Sequence, residues 1–278
     1  MKVGIVGFGF VGQAMKALFQ NAVIYDPLKP ETSGTREDLN CCDVAFVCVP
    51  TNMMPDGSCD TSIVEDIMRW LETPLIVIRS TIAPGTTDSL KTRYPKKRIV
   101  FQPEYVGETT AHPLLDESAR TFLIFGGDPE DCDFAVRIYQ RVYNSRVHIR
   151  IMRPIEAEVV KYMENSFIGT KVLFMNEFAG IAKAFGANVN VVREGFLDDP
   201  RMSRDFTFVY EHNPGFDGKC LPKDLNAIVQ ASTNAGYNPE FIRAVLQNND
   251  RIRTQKGNSK APANNELDRE LATTFTVE

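Results

Sequence analysis

Cys220 lies in the run Asn213-Pro-Gly-Phe-Asp-Gly-Lys-Cys-Leu-Pro-Lys-Asp224. The glycines let a backbone and a substrate approach closely. Lys219 and Lys223 set positive charge beside the thiol, which favours a reactive thiolate. Pro222 places the cysteine at a helix start, where the helix dipole acts in the same sense. Asp224 lies one turn further on. A nucleophile, a cation and a carboxylate in this order suit thioester chemistry. A small buried cysteine at a helix N-terminus fits the local sequence equally well. Lys161 and Asn165 stand at i,i+4 on one helix face, where an ammonium and an amide can stabilise an oxyanion. A solvated polar face is the alternative. In Pro103-Glu-Tyr-Val-Gly-Glu108, Glu104 and Glu108 follow a strand end and could place water or substrate; a plain acidic loop is the alternative.

Gly7-Phe8-Gly9-Phe10-Val11-Gly12 is a G-x-G-x-x-G between a predicted strand and a predicted helix, with Asp26 closing the next strand. That context predicts dinucleotide binding. Gly7 makes the turn, Gly9 admits a pyrophosphate, and Gly12 permits close helix–strand packing. The N–H groups around Phe10 and Val11 would hold the phosphates. Asp26 would accept from the adenosine ribose and disfavour a 2′-phosphate, which selects NAD over NADP.

Strand-like runs at 2–7, 22–26, 43–49, 75–80, 98–101, 121–125 and 147–151 alternate with helical patterns. Ala14, Met15, Leu18 and Phe19 share a helix face. Thr61-Ser62, with Glu65, reads as a capping box for a helix to about Leu71. Pro84 reads as the start of a helix to about Tyr94, and Asp128-Pro129 as the cap of another. The run 43–49 lacks polar alternation and reads as a strand buried on both faces. The alternation predicts an α/β fold, a Rossmann-type dinucleotide-binding domain with a mostly parallel sheet over 1–153. From 154 the pattern becomes helical: a long helix to about Phe185, then 188–197, 221–235 and 239–253, with a polar loop at 198–219. This predicts an all-α central domain over 154–253. Residues 254–278 read as a polar tail.

The chain has 278 residues, 43% hydrophobic and 24% charged, with a formal charge of −5. No basic field is present to hold nucleic acid or an anionic membrane. No apolar run reaches the roughly 18 residues of a membrane helix, and no signal-peptide pattern opens the sequence. The six cysteines lack zinc-type spacing, so no metal is expected, and Cys48 reads as a core residue. A reducing, cytoplasmic setting follows.

Taken together, these motifs resemble the UDP-glucose/GDP-mannose dehydrogenase family. KVGIVGFGFVG is similar to its NAD loop, and VPT (49–51) and RST with APGTT (79–87) to its next cofactor loops. PEYVGE is similar to its substrate and nicotinamide loop, EVVKYMENSFIGTKVLFMNE (158–177) to its central helix, and GKCLPKD to its catalytic cysteine motif. The likeness spans about residues 1–253. It implies oxidation of a primary alcohol of a nucleotide sugar to a carboxylate, with two NAD, through a thioester on Cys220. Lys161 and Asn165 would hold the oxyanion, Asp224 would assist proton transfer, and Glu108 would place water. Asp26, Thr51, Thr81, Glu108 and Lys223 match cofactor contacts, with Thr81 also near the chemistry, and Lys29 could be the ribose-side lysine. Glu104, Tyr105, Lys161, Asn165 and Gly215 match the substrate side. The long helix implies a homodimer.

Two departures bear on the substrate. The family has a third, nucleotide-binding domain, where this sequence shows only the polar tail. The loop before the cysteine reads PGFDGKC, shorter than the family's and carrying Asp217 and Lys219. Other readings stay open: the same chemistry on a smaller alcohol or with a partner chain, or an NAD-binding dimer without catalysis. A one-step hydroxyacid dehydrogenase would have no need of Cys220.

Overall fold

The computed structural model describes residues 1–29, 31–107, 116–143 and 146–255. Glu108 and residues 256–278, each part of an expectation above, lie outside them. The chain divides into two compact units, Met1–Lys161 and Tyr162–Glu278.

The first unit is built on a sheet of seven strands, β1 (Val3–Val6), β2 (Val23–Tyr25), β3 (Val44–Val47), β4 (Ile76–Ile78), β5 (Ile99–Phe101), β6 (Phe122–Gly126) and β7 (His148–Met152), in the order β2-β1-β3-β4-β5-β6-β7. The first five run parallel and β7 runs parallel to β6, while β5 and β6 pair antiparallel through Phe101 and Gly126. Helices α1 (Phe10–Leu18), α2 (Arg36–Asn40), α3 (Ser62–Trp70) and α4 (Thr86–Arg93) make the crossovers, and α5 (Pro129–Tyr139) joins β6 to β7. Alternate strand residues serve opposite faces. Val3, Ile5, Phe46 and Val77 pack with Met15, Phe125 and Tyr139 on one face. Val6, Ala45, Val47 and Ile78 pack with Val64, Ile67, Met68 and Phe101 on the other. All of β3 is buried, as its unbroken apolar run predicted. Strand order reverses between β1 and β3, and ligands of open α/β sheets bind at such a switch point.

Several local expectations change. Ser62 and Glu65 form no capping box: Thr61 is the cap residue of α3, and its hydroxyl bonds the Glu65 side chain instead. Helix α4 starts at Thr86, not at Pro84, because Gly85 turns the chain at φ +90°. Its start is capped from a distance by Glu158, which accepts from the N–H groups of Gly85 (2.5 Å) and Thr87 (2.8 Å). Helix α2 was not predicted. It is held by a capping box between Thr35 and Asp38.

The helix α6 (Pro154–Ala184) begins where the domain boundary was expected, but the division between compact units falls within it. Ala157 is fully buried in a sheet-face cluster and Glu158 bonds the α4 start, so the first turns of α6 belong to the first unit. The second unit continues with α7 (Val189–Leu197), α8 (Leu221–Asn234) and α9 (Glu240–Gln255), close to the predicted helices. Its small core joins Leu173, Phe216, Leu225 and Val245.

Candidate active site

Gly7 follows β1 at φ +88°, and a Cβ there would lie 2.7 Å from the Cys48 carbonyl oxygen. A Cβ on Gly12 would lie 2.1 Å from the Gly7 carbonyl oxygen. Both glycines are therefore forced by backbone contact. Gly9 is different, since nothing lies within 4 Å of a Cβ placed there. It caps α1 without any side-chain cap, so the first-turn N–H groups of Phe10, Val11 and Gly12 face outward from the helix start. Asp26 sits beside this turn. Its Oδ2 accepts the Phe8 N–H at 2.8 Å and its Oδ1 the Leu28 N–H at 3.0 Å. The Lys29 ammonium lies 5.5 Å from the Phe8 ring centre. Open space at Gly9, an uncapped helix N-terminus and an acidic residue at the end of β2 fit a dinucleotide.

The next two loops are tied together. Thr51 is buried and its hydroxyl donates to the Thr81 carbonyl at 2.6 Å, while Ser80 donates to the Val49 carbonyl at 2.7 Å. Thr51 thus acts first on its neighbouring loop, and Thr81 is held by its backbone.

In the loop after β5, Glu104 is tied into an ion cluster. Its carboxylate is buried and bonds the Arg79 guanidinium, the Tyr105 N–H (2.6 Å) and the Val106 N–H. Arg79 is fully buried and also reaches Gln102 (2.5 Å), Tyr139 (3.2 Å) and Glu117 (3.1 Å). Arg120 bonds Glu117 at 2.6 Å and lies 4.9 Å from the Tyr105 ring centre. Burial alone would raise the Glu104 carboxyl pKa. Arg79, aided by Arg120 and the Val106 N–H, reverses this and holds it below the usual value. For Arg79, burial opposes the charge, and Glu104 and Glu117 outweigh it, so the guanidinium stays protonated. Glu104 thus braces the loop from within. Tyr105 is half-buried, and the buried Lys161 ammonium lies 5.2 Å from its ring centre.

In the second unit, Cys220 is the cap residue of α8, with Pro222 in the first turn. Cys220 is an exposed residue. The Asp224 N–H donates to the Cys220 carbonyl at 2.8 Å. Asp224 is 1% exposed, and its carboxylate accepts from Asn165 Nδ2 at 2.5 Å and from Lys223 Nζ at 2.5 Å. Lys223, expected to flank the thiol and the cofactor, therefore has its ammonium bound to Asp224. Lys219 is exposed. Gly215 takes φ +79°, and its N–H donates to Asn176 Oδ1 at 3.1 Å.

Residues 15–145 match the family model for the NAD binding domain, and residues 155–251 the model for the central domain, of the UDP-glucose/GDP-mannose dehydrogenase family. The chain belongs to that family. It is 29% identical to the UDP-glucose 6-dehydrogenase of Pseudomonas aeruginosa over 237 residues, covering 79% of this chain and 51% of that protein. Against the UDP-glucose 6-dehydrogenase of Streptococcus pneumoniae it is 28% identical over 295 residues, covering 90% of this chain and 73% of that one. The solved UDP-glucose dehydrogenase of Pyrobaculum islandicum superposes with a TM-score of 0.77 at 25% identity, over 91% of this chain and 68% of that one. The chain spans about half the length of the P. aeruginosa relative. In family terms, the first unit carries the NAD binding domain and the second the central domain.

The sequence motifs do not single out Arg79, Glu117, Arg120 or Asn176, which the fold brings to these loops. A signal existed for Arg79, a charge ending the apolar run LIVIR.

Proposed function

We propose that the chain oxidises the primary alcohol of a nucleotide sugar of the UDP-glucose type to the carboxylate, through a thioester on Cys220. The observation that carries this reading is the turn at the start of α8, where Asp224 is buried between Asn165 and Lys223 one turn from the thiol. Two NAD, bound in turn, would supply the oxidising power, the first for alcohol to aldehyde and the second for thiohemiacetal to thioester. Cys220 Sγ adds to the aldehyde carbon to give a thiohemiacetal. Its oxidation leaves a thioester, and water cleaves this to the acid and the thiol. Lys161 and Asn165 hold the substrate oxygen as it becomes an oxyanion. Asp224 moves a proton to and from water at the thiol's side, its carboxylate fixed by Asn165 and Lys223. Glu108 places water, Thr81 orients the reacting ends, and Tyr105 and Gly215 line the sugar's path. Asp26 takes the ribose hydroxyls, with Thr51 shaping the neighbouring cofactor loop.

A homodimer is part of the reading. Met163, Phe167, Phe174 and Phe178 are exposed on α6, spaced four and seven residues apart, and Phe185 is exposed just past its end. Such spacing lines one seam of a helix that packs against another helix. Among the described residues no helix is long and apolar enough to cross a membrane. An exposed reactive cysteine favours a reducing compartment, hence the cytoplasm.

The test is NADH and acid yield over UDP- and GDP-sugars and small alcohols. Two NADH per acid from a nucleotide sugar is expected, and Cys220→Ser lowers acid formation by more than about 100-fold, or over 2.7 kcal/mol. One NADH per released aldehyde, or an unchanged acid yield in Cys220→Ser, overturns the thioester route.

A further inference from the structure

We propose that Arg253 is a positioning residue that clasps the loop leading into Cys220 and so sets where the thiol meets its substrate. The proposal rests on the thioester reading of Cys220. Arg253 lies near the end of α9, with its side chain 16% exposed. Its Nη2 donates to Asp217 Oδ2 at 2.5 Å, and its Nη1 to Asn213 Oδ1 at 3.0 Å and to the Pro214 carbonyl at 3.4 Å. One guanidinium thus holds three residues of the loop, a reach that its planar fork allows and a lysine ammonium cannot match.

The middle of the same loop is held one turn back along α9. Buried Asn249 accepts the Phe216 N–H at 2.8 Å and donates to the Phe216 carbonyl at 3.0 Å. A Cβ on Gly215 would lie 2.5 Å from Asn249 Oδ1 and 3.4 Å from Arg253 Cγ, so the loop backbone rests directly on the two side chains. Every residue from Asn213 to Asp217 is therefore fixed by a side chain of α6 or α9, and Asp217 lies three residues before Cys220. Asp217 brings a carboxylate to the loop that leads into Cys220. Its pairing with Arg253 neutralises that charge as it anchors the chain.

The test uses the full chain with Arg253→Ala, Arg253→Lys and Asp217→Asn. Three quantities are read: amide hydrogen exchange of the peptide spanning 213–219, kcat and KM for UDP-glucose, and Kd for NAD. Arg253→Ala is expected to speed exchange in that peptide and lower kcat, each by about tenfold or more, with the NAD Kd within about twofold. Arg253→Lys falls between, because it keeps the Asp217 pair and loses the fork. Asp217→Asn keeps an acceptor and costs less than either. Should Arg253→Ala fail to fold, the lysine and asparagine variants carry the test. Unchanged exchange in Arg253→Ala, faster exchange with kcat and KM unmoved, or a lysine variant no better than alanine each overturns the proposal. A wild-type chain that makes no acid from any nucleotide sugar sinks the oxidation reading instead, while the exchange data still decide whether the clasp exists.

Discussion

The glycine turn after β1 and the glycine loop before Cys220 both use left-handed glycines, yet they are held by different means. Gly7 and Gly12 press against carbonyl oxygens of the main chain. Gly215 rests on the side chains of Asn249 and Arg253. In the first case the fold's own backbone dictates the residue type. In the second, a few polar side chains do so, and they can change together. The loop after β5 stands between these cases, since its backbone N–H groups are held by the buried Glu104 within an ion cluster.

The sharpest way to break this comparison is an added methyl group. Gly12→Ala forces Cβ against a backbone oxygen that cannot turn aside. The expected loss is at the upper end of overpacking costs, about 3 kcal/mol or more, read from urea unfolding. Gly9→Ala, by contrast, is expected to leave stability unchanged and to weaken NAD binding, because its Cβ enters the space open to a ligand. Equal stability losses at Gly9 and Gly12 would erase the distinction. The next effect is in the second unit. Asn249→Ala strands the buried Phe216 N–H and carbonyl, at a cost of about 1–3 kcal/mol, and is read the same way. A loss exceeding that of Gly12→Ala would show the side-chain clasp to be the stiffer device.

The smallest effect is one of pH. The Glu104 carboxyl is held below its ordinary value of 4.5 in the folded state. Its contribution is therefore fully present above pH 4.5 and is lost as pH falls through the lowered folded value. Glu104→Gln should flatten that acid limb of the stability curve. An acid limb as steep as the wild type's would mean that Glu104 is not the group being titrated.

These differences also explain what could be read from the sequence. The glycine spacing was legible because steric demands map directly onto residue types. The strands were legible because burial on two faces leaves unbroken apolar runs. Helix α2 is only five residues long, too short to show a period. The reversal at β6 leaves no trace in composition. The Arg79–Glu104 pair was not legible because the two lie 25 residues apart in sequence, and only the fold brings them together. Asn249 and Arg253 lie on a helix rich in polar residues, where a clasping side chain has the same signature as a solvated one.

The bond from the Phe8 N–H to Asp26 Oδ2 has a consequence for binding entropy. It orders the acidic side chain while the chain folds, before any ligand arrives. Freezing such a side chain at an interface costs about 0.5–1.5 kcal/mol. Here that cost is part of folding, and in the proposed reading a ribose meeting Asp26 would find its acceptor already in place.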